Sequence, residues 1–437
     1  PPADSSLREQ LEATVAGILR EGVELALEHG RVDFTDMLYV PLVEEFPPPL
    51  FDFVCVDEAQ DYSLLALRFT MRLVGEGTAE ARAGRLLFVG EPRQAIFGFA
   101  GADSDAIARI VRETGATVLP LSITYRCPRS HVRLANLLAP EMEAAPAAQE
   151  GRVYWIREKV LPSWVRGGDM LLCRANSPLV ATCLQLVRTG VPAFVLGRDL
   201  AQHLTELLER ALPGGRFEGF RAFTKFAKSE EGKLMRLLGS RPSSYPWVAE
   251  RLDLLRCLGF LLEGAPRGTP VSELRERVEQ LFVEDSRSVA LSTVHRAKGK
   301  EADRVFILYP ELMPAPYART AEMTAGEACV QFVALTRSRR ELVFVSRQAP
   351  GEEVAPRDDR VRHDRVRHDR VRPAGGPPSG RGWLQVLAGR LRPFANADDR
   401  PEPSRALPLD AGQGRSAELR GAADPEAVGQ GPGTWQV

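Results

Sequence analysis

The sequence predicts an α/β protein, and three observations carry that prediction. Short apolar runs of the buried parallel-strand type alternate with stretches of helical period. A leucine-rich helical block then interrupts the alternation, and a charged low-complexity run ends it.

Leu7, Leu11, Val15 and Ile18 recur at helical spacing, so the chain opens on an amphipathic helix. Phe51 to Asp57, reading FDFVCVD, is an apolar run breaking into acids, as expected of a buried strand with a functional C-terminal end. A second such strand is Arg85 to Gly90, RLLFVG. Further strands are predicted at Thr117 to Leu121, Asp169 to Cys173 and Ala193 to Gly197, with a helix over Pro178 to Thr189. From Ala201 to Asp285 leucine-rich helical patterns dominate, as in Trp247 to Leu262, and this stretch reads as a helical insertion. Strands resume at Ser288 to Ser292, Asp303 to Leu308 and Glu341 to Ser346. Beyond Ala349, DRVRH repeats across Asp359 to Arg372 and a Pro- and Gly-rich stretch follows. Such a composition buries too little apolar surface to offset chain entropy, and only Trp383 to Leu391 could form a short helix.

A chain of 437 residues is long enough for two or three domains. Its formal net charge of -1 excludes a global basic field, although a nucleic-acid-binding chain can confine positive charge to one groove. The six cysteines are scattered without a CxxC pair, which argues against zinc and a disulfide framework and suits a reducing cytosol. No apolar run reaches the roughly 18–20 residues of a membrane span. The chain begins Pro1-Pro2-Ala3, without a methionine or signal-peptide pattern, and reads as processed or partial.

The strongest chemical signal is Val54-Cys55-Val56-Asp57-Glu58-Ala59-Gln60-Asp61. An apolar strand ending in Asp-Glu suits nucleotide hydrolysis, since one acid can hold Mg²⁺ and the next can orient and deprotonate the attacking water. Bare acids after a strand are most often a solvated loop, but the full DEAQD is much rarer. Next stands Val89-Gly90-Glu91-Pro92-Arg93-Gln94-Ala95-Ile96-Phe97-Gly98-Phe99-Ala100-Gly101-Ala102-Asp103. Its Gln can hydrogen-bond a terminal phosphate oxygen, and its two aromatics can stack on unpaired bases. Alone, Phe97 and Phe99 would more often be core; beside DEAQD the balance reverses.

These two blocks resemble helicase motifs II and III of the UvrD/Rep/PcrA-like superfamily 1 DNA helicases. Val32 to Leu38, VDFTDML, is similar to the family's segment before motif II. Leu121 to Pro128 (LSITYRCP) resembles motif IV, Ser292 to Ala302 (STVHRAKGKEA) motif V, and Phe332 to Arg337 (FVALTR) motif VI. The resemblance implies tandem RecA-like P-loop NTPase domains, the first incomplete. The implied division is 1–113 and then 114–200 with 286–348, a reduced helical subdomain over 201–285 and a disordered tail over 349–437.

The resemblance also implies roles. Asp57 would bind the Mg²⁺ of MgATP, Glu58 would activate water and Gln94 would sense the γ-phosphate. Arg126 and Arg337 would be arginine fingers from the second domain. Tyr125 would stack on the adenine, and Glu301, beside Gly299, would accept a hydrogen bond from the ribose. Phe97, Phe99, Thr293 and His295 would touch single-stranded DNA or a DNA junction. The implied activity is ATP-driven 3′ to 5′ movement on single-stranded DNA.

The chain also departs from the family. No G-x-x-x-x-G-K-[ST] occurs, so no loop of backbone amides and Lys is available to cradle the phosphates. In the family that loop precedes motif II, so the resemblance implies an N-terminally truncated chain, inert alone as an ATPase. Gly98 and Ala100 stand where the family often has Arg, and Cys329 where it often has Asn or Arg. The alternative reading is a non-catalytic DNA-binding or regulatory remnant.

Overall fold

The computed structural model describes residues 5–75, 84–97, 105–238 and 245–347. The chain folds into two α/β lobes, each around parallel strands, as the resemblance implies.

The first lobe comprises α1 (Ser5–His29), α2 (Asp36–Val43), β1 (Phe53–Val56), α3 (Leu64–Arg72), β2 (Arg85–Phe88) and α4 (Ala106–Thr114). β1 and β2 pair in parallel, Phe53 opposite Arg85 and Val56 opposite Phe88. The core here is small: Val56, Ala59, Leu67 and Ile110, with Val54, Tyr62, Met71, Phe88 and Ile107 packed around them. Ser63 caps α3, its Oγ accepting from the Ala66 amide at 3.2 Å. α1 forms where helical spacing predicts it, but Leu11, Val15 and Ile18 on it are exposed.

Between the lobes, β3 (Ile123–Thr124) and β4 (Glu143–Ala144) make a short parallel pair around α5 (Arg129–Ala135). The strand predicted at Thr117 to Leu121 does not form. Val118, Leu119 and Leu121 have strand-like side chains but lie exposed, so no packing holds them in a ladder. Pairing begins only where the Glu143 amide reaches the Ser122 carbonyl at 2.8 Å.

The second lobe is built on β5 (Arg152–Arg157), β6 (Met170–Cys173), β7 (Ala193–Val195), β8 (Val289–Thr293), β9 (Ala302–Leu308) and β10 (Ser338–Ser346). They form one six-stranded, all-parallel sheet in the order β5-β10-β9-β6-β8-β7. α6 (Leu161–Trp164), α7 (Asn176–Arg188) and α12 (Ala321–Leu335) complete the connections. The central strands are near-continuous apolar runs because helices and loops cover both faces; all of β6 is buried. β5 escapes sequence reading because Arg bounds both ends of RVYWIR, yet its four central residues are buried. Trp155 on β5 stacks on Phe344 of β10 at 5.5 Å, and its indole N–H donates to Ser346 Oγ at 2.9 Å.

Residues 198–280, between β7 and β8, carry α8 (Arg198–Ala211), α9 (Phe220–Leu238), α10 (Pro246–Leu262) and α11 (Val271–Gln280). Leu204, Leu208, Leu258, Leu274 and Val278 bury the apolar faces of these helices against the second lobe's core. Asp253 of α10 accepts the Asn176 amide at 2.7 Å, so the inserted block caps the N-terminus of α7. The stretch over Trp383 to Leu391, like the rest of 348–437, lies outside the described residues.

Phe344 is fully buried and stacked, so Phe344→Ala leaves a cavity and is expected to cost about 3–5 kcal/mol of unfolding free energy. A urea titration checks this; a loss below about 1 kcal/mol would show that the sheet face collapses around the truncation.

Candidate functional site

At the end of β1 the chain turns sharply. Glu58 sits at φ 52, ψ 38, a left-handed conformation costing a non-glycine residue about 1–3 kcal/mol that the surroundings must sustain. The turn is stitched to the end of β2: the Val89 amide donates to the Val56 carbonyl at 2.8 Å and the Ala59 amide to the Val89 carbonyl at 2.9 Å. Gln60 is buried and fixes the turn twice, its amide nitrogen donating to Glu58 Oε2 at 2.5 Å and its Oε1 accepting from the Glu91 amide at 2.9 Å. Gly90 leaves room for this bond, because a Cβ there would stand 2.7 Å from Gln60 Oε1 and displace the side chain. Asp57 and Glu58 are thereby held rigidly while staying exposed to solvent.

The segment after β2 joins the lobes. Glu91 caps the 3-10 turn Pro92–Gln94 by accepting from the Arg93 amide at 2.9 Å. Arg93 reaches the second lobe, donating to Glu141 Oε1 at 2.7 Å and to the Leu138 carbonyl. Ile96 is buried in the second lobe's core, in one apolar cluster with Val294, Ala297 and Phe344.

Gln94 from the first lobe and Arg126 and Arg337 from the second line one cavity, with Thr124, Cys127 and Thr336 among its other walls. Arg126 pairs with Glu301, which also holds Arg339 at 3.3 Å. Arg337 is only 1% exposed, bound to the Val333 carbonyl and Thr336 Oγ1, each at 3.0 Å. Burial, and then repulsion from Arg126, push its pKa down to about 10, so it stays charged at neutral pH. Tyr125 stands 85% exposed beside this cavity wall. The acids Asp57 and Glu58 do not line the cavity.

Residues 294–301 link β8 to β9, parallel strands on opposite sides of β6. Thr293 stands level with Cys173, while Val305 is level with Met170, so the segment travels from one end of the strands to the other. Along the strands that is roughly 20 Å, covered without the dozen or more residues a helical crossover uses. Val294 and Ala297 anchor it in the core, and Gly299 turns it at φ 77. Its first end carries Thr293, buried, and His295, whose ring lies 6.5 Å from that of Phe97. Burial, then the charges of Arg174 and Arg296, push the His295 pKa down to about 3. Its second end carries Gly299 and Glu301. Phe99, Gly98 and Ala100 lie outside the described residues.

Two further features were not singled out from sequence. Lys298, whose side chain is 8% exposed, pairs with Asp61, lies 3.4 Å from Glu58 Oε2 and donates to the Gln94 carbonyl at 2.9 Å. Both Lys298 and Asp61 were visible inside motifs, but nothing in the sequence couples them. At the end of β6, Arg174 forks onto Glu327 at 2.6–3.1 Å and reaches the Tyr317 hydroxyl at 2.5 Å.

Two ordered family matches fall on these lobes. The UvrD/REP helicase N-terminal domain matches residues 5–114, and the UvrD-like helicase C-terminal domain matches residues 271–349. The chain belongs to the UvrD-like helicase family. Its two lobes are therefore the family's tandem RecA-like domains. It is 26% identical over 369 residues to the ATP-dependent DNA helicase UvrD2 of Mycobacterium bovis, covering 72% of this chain and 51% of the relative. UvrD2 of Mycobacterium tuberculosis matches at the same identity and coverage. The F-box DNA helicase protein 1 of Schizosaccharomyces pombe is 21% identical over 317 residues, 67% of this chain and 34% of the relative. The chain thus spans about half the length of the UvrD2 relatives it matches.

His295 is held neutral in the folded UvrD-like chain and protonates near pH 6.5 when unfolded. The unfolded state therefore binds the extra proton first, and the stability present above pH 6.5 is lost as pH falls toward about 3. His131, also pushed down by burial, acts in the same direction. His295→Gln is expected to flatten the fall in urea midpoint between pH 6.5 and 4.5; an unchanged slope would assign the acid sensitivity elsewhere.

Proposed function

We propose that this chain carries the working parts of an ATP-driven motor on single-stranded DNA, a translocase or helicase. The single observation behind the proposal is the cavity where Gln94 of one lobe faces Arg126 and Arg337 of the other. A side-chain amide and two guanidiniums from opposite walls form a donor set suited to a polyphosphate, and closing the lobes would draw them around it. Arg126 now pairs with Glu301, so phosphate would exchange one anion for another at the guanidinium and release Glu301 to accept from a ribose hydroxyl. Tyr125, exposed at the rim, would offer its ring to the base.

In this reading Glu58 accepts the proton of the attacking water. Its carboxylate is aimed by Gln60 and its backbone is held in a left-handed turn, so lobe closure would bring it to the phosphates already oriented. Asp57 is the residue that would hold Mg²⁺, which supplies charge neutralisation at the phosphates. A lone carboxylate suits that ion, which keeps much of its water and takes its other ligands from the nucleotide. No larger cluster of His, Cys, Asp and Glu fit for a metal occurs among the described residues. Phe97, Phe99, Thr293 and His295 would meet the DNA strand, and by family resemblance movement would run 3′ to 5′. The six unpaired cysteines support a reducing, cytoplasmic setting, and no helix among the described residues is long and apolar enough to cross a membrane.

One observation favours a second reading. The sequence contains no GxxxxGK[ST], so a DNA-binding or regulatory chain without hydrolysis of its own would need nothing further. ATP hydrolysis with and without single-stranded DNA separates the two, measured on this chain and on its reading frame extended upstream through any phosphate loop. DNA-stimulated turnover in either form supports the motor; DNA binding with turnover in neither supports the regulator. In a form that turns over, Glu58→Gln is expected to abolish hydrolysis while nucleotide binding persists, and surviving hydrolysis would remove Glu58 from the role of base. Phe97→Ala is expected to weaken oligothymidine binding by about 1–3 kcal/mol in a fluorescence-anisotropy titration. Unchanged affinity would return Phe97 to the core.

A further inference from the structure

We propose that Lys298 is a positioning residue, a clasp by which the segment crossing the second lobe sets the place of Glu58 and Gln94 in the first. The proposal rests on the motor reading for its purpose, but its geometry is independent of nucleotide and DNA.

The Lys298 ammonium is nearly buried, and all the polar partners it has found belong to the other lobe. It pairs with Asp61, three residues after the hydrolytic acid, and donates to the backbone carbonyl of Gln94 at 2.9 Å. Glu58 Oε2 lies 3.4 Å away, within ion-pair reach. The fourth contact is aromatic: the ammonium stands 5.2 Å from the centroid of the Phe97 ring. One side chain therefore touches the acid turn, the phosphate-sensing loop and the ring proposed to meet DNA.

Burying an ammonium is unfavourable unless charge and hydrogen bonds replace its water, so these partners are what keep it in the cleft. The dependence runs both ways. Lys298 reaches Asp61 Oδ2, while Oδ1 is buried with no hydrogen-bond partner, so without Lys298 this carboxylate would be left nearly uncompensated. The position of Lys298 along the chain gives the clasp its use. It lies between Thr293 and His295 at one end of the crossing segment and Gly299 and Glu301 at the other. Val294 and Ala297, both fully buried, tie the segment to the core, so a shift at either end must move the ammonium or strain those anchors.

The test is hydrogen exchange by mass spectrometry on the full chain, with wild type, Lys298→Met, Asp61→Asn and the double variant. Each single change is expected to speed exchange over 59–61 and 89–97 by roughly tenfold while β6 and β9 keep their protection, and the double variant should be no faster than the faster single. Additive effects, or acceleration spread evenly over the second lobe, would overturn the clasp. If Lys298→Met does not fold, Lys298→Arg with Asp61→Asn decides: protection kept by Arg and lost with Asn supports it, and the reverse sinks it. Saturating oligothymidine should alter exchange at 59–61 in the wild type and not in Lys298→Met; an equal response in both removes the positioning role. A wild-type chain that binds no oligothymidine would instead defeat the DNA reading, leaving the four-variant cycle to decide the clasp.

Discussion

Parallel pairing is the constraint on which the second lobe depends. Every pair in the six-stranded sheet is parallel, so each connection must carry the chain back past the strands before the next one starts. Most connections do this with helices: α7, the inserted block from α8 to α11, and α12. Residues 294–301 do it with a short turn-rich segment laid across the sheet. A helix there would fill the face the first lobe needs. The economy of this one connection leaves room for Ile96 to reach the core and for Lys298 to point into the cleft.

Among the described residues, the contacts that join the two lobes include three physical kinds. Ile96 supplies apolar burial, Arg93 a charged hook onto Glu141 and the Leu138 carbonyl, and Lys298 a buried charge. Apolar contact alone would be indifferent to rotation. The directional bonds of Arg93 and Lys298 fix it, and one of them runs from Lys298 to the Gln94 carbonyl itself. Opening and closing therefore cannot leave the cavity wall unchanged, and that sensitivity suits a site built from both lobes.

Much of this was legible in the sequence. The strands at Met170–Cys173, Val289–Thr293 and Ala302–Leu308 are apolar runs that two-sided burial explains, and the helical block announced itself by leucine spacing. Phe53–Val56 forms as a strand but, against the expectation of a buried one, leaves Phe53 and Cys55 exposed. The failures have physical reasons. Thr117 to Leu121 has strand composition but no neighbour to pair with, whereas β5 has the neighbour and hides behind arginines at both ends. Gln94, Arg126 and Arg337 were readable because each sits in a recognisable block, and the structure gathers them about one cavity. The join between Lys298 and Asp61 spans 237 positions of sequence and depends on how the lobes sit together, which no local pattern encodes.

The thiols differ in a way that gives the molecule a built-in reporter. Burial pushes Cys173 and Cys183 up to about 12 and raises Cys257 and Cys127, so these sulfurs are poor nucleophiles at neutral pH. Cys329 is half-covered against the Pro92 carbonyl. Cys55 alone is exposed, on the solvent face of β1 and two residues before Asp57. A maleimide dye added to the unmutated chain would therefore settle first on the strand that presents the acids. Its emission would follow the environment of that turn without any cysteine having to be engineered in or out.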